Sequence, residues 1–123
     1  MEAKELRIGN YINYLGTVNI VESIAGTEES YVATKSSGIM PVNAFQPIIL
    51  TEGWLLKLGF EKNIMCPVYE KNKETIQIEI VGPIVYFRIF VPNFGFIAIQ
   101  ALEFVHQLQN LYFALTGEEL TQQ

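Results

Sequence analysis

The sequence predicts an α+β domain with four parts: a small barrel-like β unit, a short helix, a four-strand antiparallel meander and a C-terminal amphipathic helix. Three observations predict this class. Short apolar stretches recur at intervals of about ten residues over residues 10–45, separated by glycine and polar turns, which is typical of small barrels and curled sheets. Apolar and polar side chains alternate over residues 76–81, as in a strand with one buried face. Apolar side chains over residues 101–115 recur with the period of a helix.

The chain length favours one domain. A chain of 123 residues buries roughly two thirds of its unfolded surface on folding, which is enough for a core without disulfides or metals. No internal repeat or flexible linker interrupts the sequence. We therefore expect a single domain over residues 1–123, with a β-rich sub-region at 1–49 and the short helix, meander and last helix at 50–123.

The N-terminal sub-region holds the expected β unit. Its opening stretch, LRIGNYI, resembles the first strand of SH3-like barrels, where a glycine lets the chain turn tightly into the strand. The resemblance covers seven residues and implies a small SH3-like barrel. The expected strands are residues 10–14, 17–24, 30–35 and 39–45. Turns are expected between them at Leu15-Gly16 and at 25–29.

The short helix is expected within LTEGWLLKLGF, residues 50–60, because both of its ends can be read from the sequence. Thr51 has the side chain of an N-cap, and Gly59 follows the last turn as a left-handed cap would require. Trp54 lies on the same face as the helix leucines. We expect this tryptophan to anchor the helix to the core, and the alternative is that it lines a ligand pocket.

The meander is expected over residues 63–70, 74–81, 84–91 and 95–100, with turns at 71–73, 82–83 and 92–95. The third of these strands is unusual because both of its faces carry large apolar side chains. Such a strand is covered on both sides or contributes to an interface or pocket. Arg88 lies between Tyr86 and Phe90 on one face, so these three residues are candidate ligand-binding residues. The alternative is that Arg88 pairs with Glu79 of the neighbouring strand.

The last helix carries a second stripe beside its apolar core face, formed by Leu102, His106, Gln109 and Phe113. We expect this stripe to be exposed and to form the interface of a homodimer or a larger even-numbered assembly. The alternative is that the N-terminal β unit covers the stripe within one chain. No catalytic role is expected for His106, because the sequence has no aspartate to orient it and no second histidine to share a metal.

Composition excludes several classes of function. The net charge of −5 arises from thirteen glutamates, without aspartate, against eight lysines and arginines, so general nucleic-acid binding is not expected. A small anion remains possible, because one or two arginines can hold it, and the two candidates are Arg7 and Arg88. No dinucleotide or phosphate-loop motif occurs. The adjacent pairs Glu28-Glu29 and Glu118-Glu119 are expected to be solvated. We therefore expect neither an enzyme nor a cofactor or metal.

Several features predict an intracellular protein. The longest uncharged runs, Ser36–Thr51 and Ile89–Leu102, are too short to span a membrane and are broken by proline or glycine. The charged N-terminus does not resemble a signal peptide. The single Cys66 cannot form an internal disulfide, which suits a reducing compartment.

Three blocks, ELRIGN, LTEGWLLKLGF and VHQLQNLYFALTGEEL, resemble an uncharacterised family of short proteins from bacteriophages and prophages. Gly53 departs from that family, which more often has glutamate there. The resemblance implies a non-enzymatic accessory protein in the cytoplasm of the host cell. By analogy, we expect it to sequester a small anionic nucleotide-type immune signal, held by Arg88 and by stacking on Tyr86, Phe90 or Trp54. The alternative is a protein–protein interaction module that blocks a host protein.

Overall fold

The computed structural model describes residues 1, 3–26, 31–71 and 75–123. Over these residues the fold is α+β, as the sequence predicts, with antiparallel sheets and two α-helices. The pair Glu28-Glu29 lies outside the described residues, as do parts of the expected turns at 25–29 and 71–73.

The described residues form ten strands, two α-helices and short 3-10 turns at Ala3–Glu5 and Val42–Ala44. In chain order the strands and helices are β1 (Tyr11–Tyr14), β2 (Thr17–Ile20), β3 (Ser23–Ala25), β4 (Tyr31–Thr34), β5 (Gly38–Pro41), α1 (Glu52–Lys57), β6 (Glu61–Lys62), β7 (Val68–Glu70), β8 (Ile76–Val81), β9 (Ile84–Val91), β10 (Gly95–Leu102) and α2 (Val105–Thr116). None of these helices is long and apolar enough to cross a membrane.

The chain divides into two units. The first comprises Met1–Ile49 and Phe104–Glu119, and the second comprises Leu50–Glu103 and Leu120–Gln123. The boundary after Ile49 coincides with the division between the two expected sub-regions, and the expectation of a single domain stays a prediction. The last helix, however, groups with the N-terminal residues rather than with the meander.

The first unit is built from two antiparallel ladders, β1–β2 and β3–β4–β5. Leu15 and Gly16 join β1 to β2 with backbone φ angles of 51° and 82°, as a tight two-residue hairpin with the twist of its strands requires. The ladders stay separate over the described residues and do not close a barrel, and the SH3-like likeness remains a prediction. The expected strand at 17–24 is divided between β2 and β3, and the expected strand at 39–45 ends at Pro41, where a 3-10 turn follows. One core cluster of this unit is formed by the buried residues Leu6, Ile12, Val21, Val32 and Phe45.

The second unit is a five-stranded antiparallel sheet in the order β10-β9-β8-β7-β6, preceded by α1. It has one strand more than predicted, because residues Glu61 and Lys62 pair with β7. The alternation expected in β8 is confirmed at its start, since Ile76 and Ile78 are buried while Gln77 is half-buried; Ile80, however, is half-buried like Glu79. Phe87 of β9 is fully buried on the same face, which places the core of this unit there.

The ends of α1 follow the local chemistry of the sequence. The Thr51 hydroxyl accepts a hydrogen bond from the Trp54 amide at 3.3 Å. At the other end, Gly59 has a φ of +90°, and the amide of Phe60 donates to the Leu55 carbonyl at 3.0 Å. Because a left-handed residue followed by this bond satisfies carbonyls that the helix leaves free, the helix ends where the glycine was expected to end it.

Helix α2 begins later than predicted, at Val105 instead of residue 101. The preceding residues continue β10, and pairing of Leu102 with Val85 extends that strand past a bulge between Ala98 and Gln100. The apolar stretch suits a strand or a helix equally, and pairing with β9 decides between them. Gly117 ends the helix with a φ of +74°.

Candidate functional site

Three of the predicted ligand-binding residues share one face of the second unit. Tyr86, Arg88 and Phe90 alternate along β9, and the register with β10 places Ala98 opposite Arg88 and Phe96 opposite Phe90. The ring of Phe90 meets that of Phe96 edge to face, with centroids 5.4 Å apart. The hairpin β9–β10 therefore presents an aromatic pair beside an arginine.

The guanidinium of Arg88 already has protein partners. Its Nη1 lies 3.3 Å from Oε2 of Glu79, and its Nη2 donates to the carbonyl of Phe96 at 3.2 Å. This ion pair is the alternative that the sequence left open for Arg88. An anion would have to compete with Glu79 or use the remaining N–H donors.

Trp54, the fourth predicted ligand-binding residue, is buried in α1 with 8 % of its surface exposed. The ammonium of Lys57 lies 5.0 Å from the centre of its ring, a cation–π contact within one helix turn. A buried ring with a cation over one face is not open to stacking by a ligand. The geometry thus supports the anchoring role that the sequence favoured for Trp54.

The prediction of an exposed stripe along the last helix is wrong at three of its four positions. Leu102 is buried and belongs to β10 rather than to the helix, and His106 and Gln109 are 1 % and 0 % exposed. Only Phe113 retains substantial exposure, 37 %, and the guanidinium of Arg7 lies 4.3 Å from the centre of its ring. The stripe is largely used within one chain, so it is not the expected interface.

The side chain of Gln109 is buried and forms hydrogen bonds with the backbone of the N-terminal segment. Its side-chain oxygen accepts from the amide of Tyr11 at 2.9 Å, and its side-chain nitrogen donates to the carbonyl of Gly9 at 3.1 Å. Beside it, the side-chain oxygen of Asn110 accepts from Asn10 at 2.8 Å. These bonds attach the start of β1 to α2, and the sequence pattern gave no sign of them.

Arg7, the other candidate for holding an anion, is also paired. Its guanidinium donates to both carboxylate oxygens of Glu119, at 2.7 and 3.2 Å, and to the side-chain oxygen of Asn110 at 3.1 Å. Glu119 is therefore an ion-pair partner rather than a simply solvated carboxylate. The arrangement serves the structure of the first unit.

His106 is the most unusual polar residue of the first unit. Its ring lies parallel to that of Phe104, with centroids 5.8 Å apart, and neither ring nitrogen has a hydrogen-bond partner among the described residues. Burial lowers the pKa of His106 below its usual value; the carboxylate of Glu5 opposes this change and the N-terminal ammonium adds to it. The interpretation of His106 as an exposed helix residue is wrong, and the ring is a neutral part of the core.

Two surface depressions do not coincide with any predicted site. One, of about 430 Å³, is lined by residues 61–65 and Glu70, and the other, of about 410 Å³, is lined by Val18, Asn19, Ile20, Glu22, Lys35 and Ser36. Neither includes a residue of the β9 face. Over the described residues no group of three or more histidine, cysteine or acidic side chains is placed to hold a metal ion.

The most distinctive surface lies on the hairpin β9–β10. Between Ile89 and Leu102 four large apolar side chains are exposed, Phe94 at 79 % and Phe90, Ile97 and Ile99 at 42–46 %. Phe90 lies on the face of Arg88, whereas Ile97, opposite Ile89, lies on the other face of the sheet, so the four residues do not form a single patch. We call these four residues together the hairpin surface. No charged residue occurs from Ile89 to Leu102, so burying this stretch in a complex would not remove a charge of the stretch from water. With about 200 Å² for a whole aromatic side chain, the two phenylalanines alone expose about 250 Å². Exposed apolar side chains of this size commonly take part in interaction sites.

Comparison with known proteins identifies no family for this chain. No protein-family model matches the chain, and neither the curated proteins nor the solved structures yield a match. The resemblance to short phage proteins therefore stays a prediction.

Proposed function

We propose that this protein is a non-enzymatic protein–protein interaction module that binds its partner through the hairpin surface. The observation that carries the proposal is the exposure of Phe90, Phe94, Ile97 and Ile99 on an uncharged stretch of an acidic chain. Burying each large apolar side chain in a complex would contribute up to about 1.5–3 kcal/mol, scaled by the fraction now exposed. Phe94 is the most exposed of the four and is the expected anchor.

The proposed partner is a host protein, and the proposed place of action is the cytoplasm of the host cell. The resemblance of three sequence blocks to short phage proteins supports this choice. The two arginines are engaged with Glu119 and Glu79, which favours apolar contacts over anion binding as the main source of affinity.

Site-specific photo-crosslinking in the host tests this proposal. A photoreactive phenylalanine analogue at Phe94 should capture one defined protein, while the same analogue at Ile39, which is 71 % exposed on β5, should not. The captured protein is then purified, and Phe94→Glu should weaken its binding at least tenfold while Ile39→Glu leaves it unchanged. Identical captures at both positions, or an affinity that Phe94→Glu does not change, would refute the proposal.

A second candidate function, sequestration of a small anionic nucleotide, is supported by the placement of Arg88 between Tyr86 and Phe90 on one strand face. Thermal unfolding against a panel of cyclic and linear nucleotides tests it. A ligand at a hundredfold excess over its Kd should raise the free energy of unfolding by about 2.7 kcal/mol. Arg88→Ala should abolish that gain, and Arg7→Ala, in the other unit, should not. If no nucleotide of the panel raises the free energy of unfolding, these nucleotides are not ligands of the protein.

A further inference from the structure

The two edges of the five-stranded sheet differ in how they are protected. Edge strands expose unpaired backbone groups, and proteins usually block them with charge, proline or short length. The edge strand β6 follows this rule, because it has two residues and both are charged. The other edge, β10, has eight residues and neither a charge nor a proline.

The outward backbone groups of β10 can be identified from the register. The amide of Phe90 donates to the carbonyl of Thr75, on the β8 side of β9. Because backbone groups alternate in direction along a strand, Phe96, opposite Phe90, and Ala98, opposite Arg88, direct their amides and carbonyls away from β9. Neither amide has a hydrogen bond within the described part of the chain.

Two features limit how much of this edge is free. The bulge between Ala98 and Gln100 ends its regular part, so the usable segment is Gly95–Ala98. The carbonyl of Phe96 already accepts a bond from Arg88, but a carbonyl oxygen has two lone pairs and can accept a second.

We propose that β10 pairs antiparallel with β10 of a second copy of this chain, about a two-fold axis at Ile97. In this register Phe96 lies opposite Ala98 of the second copy, and the same pair forms again across the axis. Each pair exchanges two backbone hydrogen bonds, so four bonds join the copies into one continuous sheet. A second copy is the fitting occupant because the outward donors and acceptors of Phe96 and Ala98 match their own pattern under the two-fold rotation.

The size of the contact indicates a weak dimer. The ladder is short, and most of its added apolar area comes from Phe94, Ile97 and Ile99, which are exposed in the single chain. Such an interface lies at the low end of the range for specific complexes, below about 1,200 Å² in total. We therefore expect a Kd in the micromolar range. The dimer covers Phe94, Ile97 and Ile99, so it competes with the proposed host partner for the hairpin surface. Purified protein alone suffices to form it, so it can be tested separately.

A disulfide at the two-fold axis tests the register directly. Ile97 lies opposite its own counterpart as a non-hydrogen-bonded pair, with Cα atoms about 4.5 Å apart, within the range that a disulfide spans. In a Cys66→Ser background, Ile97→Cys should form a covalent dimer under mild oxidation. Ile39→Cys in the same background should remain largely monomeric. Equal cross-linking of the two variants would overturn the proposed register.

Sedimentation of the protein without cross-links tests the dimer itself. Wild-type protein should be substantially dimeric at ~100 µM, well above a micromolar Kd. Ile97→Lys places a charge on the edge and should weaken association at least tenfold. Ala98→Pro removes an outward amide, which an edge strand tolerates, and should also give a folded monomer. A wild-type protein that stays monomeric at this concentration, or a dimer that both variants retain, would refute the inference, whatever the crosslinking in the host shows.

Discussion

Replacing His106 with leucine should stabilise the protein and remove a dependence of stability on pH. The ring is buried, neither of its nitrogens has a hydrogen-bond partner among the described residues, and a buried polar group without a partner costs about 1–3 kcal/mol. Leucine removes that cost but also loses the stacking on Phe104, a contact worth about 0.5–1.5 kcal/mol. We expect a net gain of about 1 kcal/mol in the free energy of unfolding at pH 7.

The pH dependence follows from the lowered pKa of His106. Above its ordinary value of about 6.5 the ring is neutral in both the folded and the unfolded chain, so it contributes no slope. Below that value the unfolded chain takes up a proton that the buried ring resists. Stability then falls by up to about 1.4 kcal/mol per pH unit until the pH passes the folded pKa. His106 is the sole histidine of the sequence, and histidine is the side chain whose ordinary pKa lies in this window.

Urea unfolding between pH 7.5 and 5.5 measures both effects. The difference in free energy of unfolding between His106→Leu and wild type should grow as the pH falls. His106→Gln is the matched control, because it keeps a polar side chain that does not titrate; it should flatten the pH profile without the gain at pH 7. A wild-type profile parallel to that of His106→Leu over this range would refute the assignment of a neutral, unpaired buried ring.

Three further predictions concern stability, each measured by urea unfolding. Gln109→Ala should cost about 2 kcal/mol because it removes two buried hydrogen bonds, to the Tyr11 amide and to the Gly9 carbonyl, and a loss no larger than that of Arg7→Ala would contradict this account. Gly59→Ala should cost at least about 1 kcal/mol, since the residue has a φ of +90° and a Cβ would lie 2.9 Å from Nζ of Lys71. Gly53→Ala, inside α1, should instead stabilise by up to about 1 kcal/mol, since a Cβ there would make only ordinary contact with the Thr51 hydroxyl at 3.6 Å; equal effects of the two alanines would contradict this difference.

The parts of the fold that the sequence predicted are those fixed by local chemistry. Thr51 and Gly59 bound α1 because a hydroxyl can accept from a helix amide and a glycine can adopt a positive φ, whatever surrounds them. The alternation in β8 likewise follows from a single buried face. The start of α2 was missed because residues 101 and 102 suit either state, and pairing with β9, a non-local contact, makes them part of a strand.

The sequence predicts the candidate site less well, because helical periodicity places polar side chains toward water. Gln109 and His106 lie beside the apolar arc of α2, and helical periodicity alone places them outward. Gln109 is buried because its side chain forms hydrogen bonds with the backbone of Gly9 and Tyr11. These bonds form only when segments that are distant in the sequence pack together. No pattern within the helix carries that information.

The burial of this stripe changes where a partner is to be sought. Apolar and polar groups of α2 that the sequence offered for association are used to complete the first unit, and substitutions there should act on stability before they act on binding. Phe94 of the hairpin surface is 79 % exposed, whereas Gln109 is fully buried. A change at Phe94 should therefore alter association while the free energy of unfolding stays within about 0.5 kcal/mol, as for an ordinary surface position. Separate measurement of unfolding and association for Phe94→Glu and Gln109→Ala thus distinguishes a residue needed for binding from a residue needed for stability.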